Sequence, residues 1–79
     1  MNKITFKTRV MANKLGGEFK ISLREVPYIV LKGKHSLCFM ARRGTWRLFD
    51  NYMTNKKQNK RDFKQVSELL KHLSENNII

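Results

Sequence analysis

Between Pro27 and Asn51, three short apolar stretches are separated by two glycine-bearing turns. The stretches are Tyr28-Ile29-Val30-Leu31, then Leu37-Cys38-Phe39-Met40-Ala41, then Trp46, Leu48 and Phe49. Lys32-Gly33-Lys34 divides the first pair and Arg43-Gly44 the second. Runs this short suit strands better than helices. Pro27 marks where the first begins, because proline belongs at a strand's first residue or edge. His35 to Arg42 forms the next strand, and Thr45 to Asn51 the one after. The apolar runs are continuous rather than alternating, which predicts cover on both faces. A helix can cover one face. A ligand or a second copy of the chain can cover the other, which leaves a homodimer open.

The segments upstream alternate. Ile4, Phe6 and Val10 point one way and Lys3, Thr5, Lys7 and Arg9 the other, a period of two that predicts a strand over residues 3–12. A helix across Lys7–Leu15 with Gly16 as its C-cap is the competing reading, since Met, Ala, Lys and Leu favour helix. Phe19, Ile21 and Leu23 alternate with Lys20, Ser22 and Arg24 in the same way. Paired as a hairpin, these segments would carry Lys3, Lys7, Arg9, Lys20 and Arg24 on one outer face. Like charges across strands repel unless an anion lies on them.

Residues 51–61 are polar and basic without apolar period and read as a loop. Asp62 then caps a helix over 62–76, with Gln65 completing a capping-box pattern. Phe63, Val66, Leu69, Leu70 and Leu73 form its apolar stripe. Lys64, Glu68, Lys71 and Glu75 pair among themselves on the opposite face. The expected fold is therefore α+β. It is one domain over residues 1–79, with a meander-like antiparallel sheet of four or five strands within 3–51 and a C-terminal helix packed on one face.

Charge then points to a partner. Seventeen Lys and Arg face six Asp and Glu, a net +11 on 79 residues. Residues 1–17 contain no acid, and residues 32–61 hold nine basic residues against Asp50 alone. The last eighteen residues sum to −1. Such self-repulsion gives a fold no stability, so a polyanion is the first physical explanation. Two surfaces are expected to meet phosphate. One is the outer face of the first hairpin. The other comprises Lys32, Lys34, Arg42, Arg43, Arg47, Lys56, Lys57, Lys60 and Arg61. In Arg42-Arg43-Gly44-Thr45-Trp46-Arg47, glycine lets the backbone approach a phosphate and the arginines offer forked donors. Trp46 either stacks an unpaired base or fills the core.

Other chemistry has less support. The two histidines, His35 and His72, stand far apart in the chain. With one cysteine, Cys38, they do not make a zinc site. A small ribonuclease using His35 as general base is an alternative, but no second acid or base is fixed beside it by the sequence. No nucleophile motif or carboxylate pair stands out, so the expectation is no enzyme, no cofactor and no metal. A lone Cys38 between Leu37 and Phe39 reads as a small buried hydrophobe and suits a reducing compartment. No secretory signal and no membrane-length apolar run is evident. A cytoplasmic protein is expected.

Eleven Lys and seven Asn against one Pro and one Cys give a composition that resembles small basic accessory proteins of T4-like phages. That resemblance implies antagonism of host machinery or defence, in some cases RNA binding that counters RNA-containing toxin–antitoxin systems. It transfers no site residues. The expected function is non-enzymatic binding of RNA or another single strand, coating or blocking it. The sheet-rich architecture, aromatics among basic turns and lack of a cationic recognition helix favour RNA over duplex DNA. A basic inhibitor docking on an acidic host protein is the alternative.

Overall fold

Ile4, Thr8, Met11, Ala12 and Leu15 recur at helical spacing, and the chain opens with a helix, α1 (Lys3–Leu15). The computed structural model describes residues 3–50 and 59–79. The strand expected over residues 3–12 is thus replaced by the competing helix, begun four residues earlier than Lys7. Phe6 and Val10, expected to face a core, are 63% and 50% exposed. The buried stripe instead contains Thr8, whose hydroxyl donates to the Ile4 carbonyl at 2.7 Å. A threonine satisfied within its own helix can sit where an aliphatic residue would be expected. The helix closes on Gly16, at φ +69°, with Gly17 N–H bonded to the Ala12 carbonyl at 2.9 Å. This is the left-handed closure that favours glycine. Gly17 has a second reason: a Cβ there would lie 2.5 Å from the Ile29 side chain.

Among the described residues five strands follow: β1 (Glu18–Ile21), β2 (Pro27–Leu31), β3 (His35–Met40), β4 (Thr45–Phe49) and β5 (Lys60–Phe63). Each pairs antiparallel with its chain neighbours, in the order β1-β2-β3-β4-β5. This is the expected antiparallel meander, but its fifth strand lies beyond the 3–51 range expected for the sheet, while the strand expected over 3–12 is α1. β1 pairs with β2, so the hairpin imagined between residues 3–12 and 18–25 does not form. β5 takes the last residues of the predicted basic loop. Residues 51–58 of that loop lie outside the described residues.

Alternation sorts the side chains. Ile29, Leu31, Leu37, Trp46, Leu48 and Phe63 lie in one core with Met11 and Ala12 of α1. The second helix, α2 (Val66–Glu75), adds Leu69 and Leu73, both fully buried. Burying each such leucine stabilises by about 1.5–3 kcal/mol. Both helices therefore cover the same face. The central hairpin was expected to be covered twice, but no described helix packs on its other face, which carries Tyr28, Cys38, Arg47 and Phe49. Burial pushes the Cys38 thiol up from its ordinary value, against the pull of Arg47.

The start of α2 corrects another expectation. Asp62 is in β5, and Gln65 occupies the N-cap without a side-chain bond. The C-terminal end is well closed. Asn77 takes φ +55° and donates to the Ser74 carbonyl at 3.2 Å. Ile78 donates to the Leu73 carbonyl at 2.8 Å and buries its side chain in the core. This double closure with an apolar anchor satisfies carbonyls that a helix end leaves open.

Candidate nucleic-acid interface

A meander sends alternate connections to opposite ends of the sheet. At one end lie the β1–β2 loop with Arg24 and the β3–β4 turn with Arg42 and Arg43. This is the turn end. At the other lie the Lys32-Gly33-Lys34 turn, the start of β5 with Lys60 and Arg61, and the close of α2. This second end holds a cleft, so it is called the cleft end. Some of the basic residues that are scattered in sequence are thereby gathered in two places.

At the turn end one acid answers two cations. Arg47 donates from Nε to Asp62 Oδ1 at 2.7 Å and from Nη2 to Oδ2 at 3.1 Å. Arg43 stands 3.8 Å from the same carboxylate. Hydrogen bonding from Arg47 holds the Asp62 carboxyl below the ordinary carboxylate range. The fork joins β4 to β5, where Arg47 and Asp62 are register partners. Trp46 is 2% exposed and meets Phe39 edge-on at 5.2 Å between ring centres. A ring so buried fills the core and offers no face to a base, which corrects its inclusion among the binding residues. Of the Arg42–Arg47 cluster, Arg42 has no acidic partner among the described residues.

The cleft end is arranged differently. A cleft of about 890 Å³ opens between the β2–β3 turn, the ends of β4 and β5, and α2. Lys34, His35, Asp50, Lys60, Arg61 and His72 line it. Its single acid, Asp50, meets the Nδ1 of His35 at 3.0 Å. Arg61 Nη1 lies 3.2 Å from the Nδ1 of His72, and Asn76 Nδ2 lies 3.3 Å from it. An arginine only donates, so that ring nitrogen accepts and the His72 proton resides on Nε2. His72 also packs against the Phe63 ring at 5.2 Å. Lys34, Lys60 and Arg61 have no acidic partner among the described residues.

The remaining basic positions spread over other surfaces. Lys3, Lys7 and Arg9 stand on α1 and not on a strand face. Lys7 Nζ sits 4.0 Å from the Phe39 ring centre, and the Arg9 guanidinium 5.2 Å from that of Phe19. Lys20 alternates onto the helix-free face of β1. Lys32 is occupied, donating from Nζ to the Asn77 carbonyl. Lys56 and Lys57 lie outside the described residues.

Sequence reasoning missed the meeting of His35, Asp50, Arg61 and His72. The signal was the lone acid among nine bases. In the β3–β4 register, Ser36 opposes Phe49 and Leu37 opposes Leu48. One further step sets His35 against Asp50. Reading the turn as Arg43-Gly44 alone shifts that register by two, whereas the ladder closes at Met40 and Thr45 around a four-residue turn.

Among the described residues, no cluster of three or more His, Cys, Asp or Glu could hold a metal ion. None of their helices is long and apolar enough to cross a membrane. No family model, curated protein or solved structure matches this chain.

Proposed function

We propose that the protein binds RNA, or another single-stranded nucleic acid, through its unanswered cations, without catalysing a reaction. One observation carries this reading. Among the described residues the acids form ion pairs only with Arg43, Arg47, His35 and Lys71, so most of the cations, Lys34, Arg42, Lys60 and Arg61 among them, lie in no ion pair. Each phosphate neutralised releases counterions, and that release supplies affinity with little sequence preference. Coating a strand would deny it to another factor. Together with the composition, this favours a role as a phage antagonist of an RNA-dependent host defence, acting in the host cytoplasm.

The test is a mobility-shift series with single-stranded RNA, double-stranded RNA and DNA. Neutralising about five phosphates on a single strand lowers affinity about 500-fold as salt rises from about 50 to 300 mM. Affinity unchanged over that range would rule out the electrostatic mechanism.

A second reading has its own support. Between α1 and α2, a groove is lined by Phe6, Val10, Trp46 and Val66, with Lys7 and Lys14 at its rim. Phe6 and Val10 are large apolar exposures on a helix without acids. Such a groove suits an acidic amphipathic segment of a protein partner. Co-purification of a stoichiometric protein in place of nucleic acid would favour it.

A further inference from the structure

We propose that the cleft end contains a defined seat for a phosphate group of the bound strand, built from Lys34, Lys60, Arg61 and His72, with His35 lining it. The proposal rests on the RNA-binding reading and adds a site to it. Several donors face one concavity here, and the structure fixes how both histidine rings are held.

The histidines are fixed by what their Nδ1 atoms touch. Nδ1 of His72 accepts from Arg61, so its Nε2 carries a proton. Nδ1 of His35 faces the Asp50 carboxylate, which only accepts, so this nitrogen donates and His35 borders the seat without giving that proton to the ligand. Asp50 is thereby committed to His35 at 3.0 Å. The carboxylate that would otherwise oppose an anion is turned to orienting an imidazole. Lys34, Lys60 and Arg61 against Asp50 leave the lysines and arginine in excess.

The end of α2 would normally oppose an anion, because a helix C-terminus is electronegative. Here that opposition is reduced. The backbone N–H groups of Asn76, Asn77 and Ile78 occupy the last carbonyls. Asn76 Nδ2 adds a second bond to the His72 carbonyl at 2.8 Å. Lys32 Nζ covers the Asn77 carbonyl. Lys32 thus serves the cleft without entering it, and Lys34, two residues on, is left for the ligand. Guanidinium and ammonium groups beside the Nε2–H of His72 match a phosphate's several acceptor oxygens.

The experiment follows the imidazole resonances of His35 and His72 by NMR on the intact protein. Inorganic phosphate, a nucleoside monophosphate and a short single-stranded RNA are added separately, each against chloride at equal ionic strength. Both histidines should shift saturably with all three, while chloride leaves them in place. Arg61→Ala should weaken phosphate binding about ten-fold, as loss of a charged hydrogen bond does. Lys34→Ala should weaken it without touching His72, guarding against local distortion. Arg24→Ala, at the turn end, should not alter it. Histidine shifts with chloride as large as with phosphate, or equal losses in all three variants, would overturn the seat. The outcomes also separate the two claims. RNA binding that leaves both histidines unmoved defeats the seat and keeps the RNA reading. Phosphate binding without RNA binding does the reverse.

Discussion

The two ends of the β3–β4 hairpin each hold one aspartate among several cations, yet they use it in opposite ways. Asp62 takes Arg47 in a two-bond fork and draws Arg43 toward it. Asp50 takes His35 and leaves Lys34, Lys60 and Arg61 unanswered. The first arrangement locks strands together. The second keeps its cations available. Where a chain is this basic, the few acids determine which cations stay unpaired by the partners they choose. Counting Lys and Arg along the sequence ranks the turn end first, with Arg42, Arg43 and Arg47 in six residues. Counting unanswered charge reverses the order.

Four perturbations test that contrast. The largest effect is expected at Trp46, beside the fork. Trp46→Ala should cost about 3–5 kcal/mol in urea unfolding, the range for emptying a core aromatic site. Intact stability with lost RNA affinity would return the ring to the binding surface and undo the contrast.

Charge reversal at the cleft end comes next. Lys34→Glu with Lys60→Glu should lower RNA affinity at least about 10-fold at low salt and flatten the salt dependence by about two contacts or more. The same reversal at Arg43 and Arg47 should do less, since Asp62 already holds them. Equal losses at both ends would show that pairing does not govern availability.

Asp62→Asn sharpens the comparison by releasing the fork. Stability should fall only modestly, because the Asp62 carboxylate keeps contact with solvent and the amide oxygen of the replacing asparagine would still accept one bond from Arg47. RNA affinity should rise a few-fold as Arg43 and Arg47 come free. The pH profile gives an independent sign. The Asp62 carboxyl is held below its ordinary value by Arg47, so its stabilisation is complete above its unfolded pKa. It is lost as pH falls through the lower folded value. Wild type and Asp62→Asn should therefore differ above about pH 4 and converge in stronger acid. A difference that grows on acidification would contradict the fork.

The smallest effect is expected on α2. Lys71 pairs loosely with Glu75 at 3.9 Å on an exposed helix face. Lys71→Ala should change stability by about 0.5 kcal/mol or less and leave RNA binding as it was. A clear loss of RNA affinity would bring α2's solvent face into the interface.

Where the chain's own pattern decides structure, the sequence could be read. The apolar runs around Gly33 and Gly44 marked β2, β3 and β4, and the Val66–Leu73 stripe marked α2. Where a neighbour decides, it could not. β5 contributes Phe63 as its buried apolar residue and owes its conformation to pairing with β4. α1 was obscured because Ile4, Phe6 and Val10 satisfy a period of two, while Thr8 and Ala12 carry the helical stripe without looking apolar enough. The cleft was hidden for a third reason. Its histidines are thirty-seven positions apart, and a two-residue difference in turn length decides whether His35 meets Asp50. The unpaired charge was visible from the start, but not which of its members an acid would silence.

The meander also sets how fast this molecule takes shape. Every described strand pairs only with the described strands beside it in the chain. Few distant segments need to find one another, and low contact order of this kind goes with rapid folding. The transition state of such folds already buries most of the native surface, so like charges are brought close before the last contacts form. Salt, or an RNA strand already present, should therefore accelerate folding as well as stabilise its product.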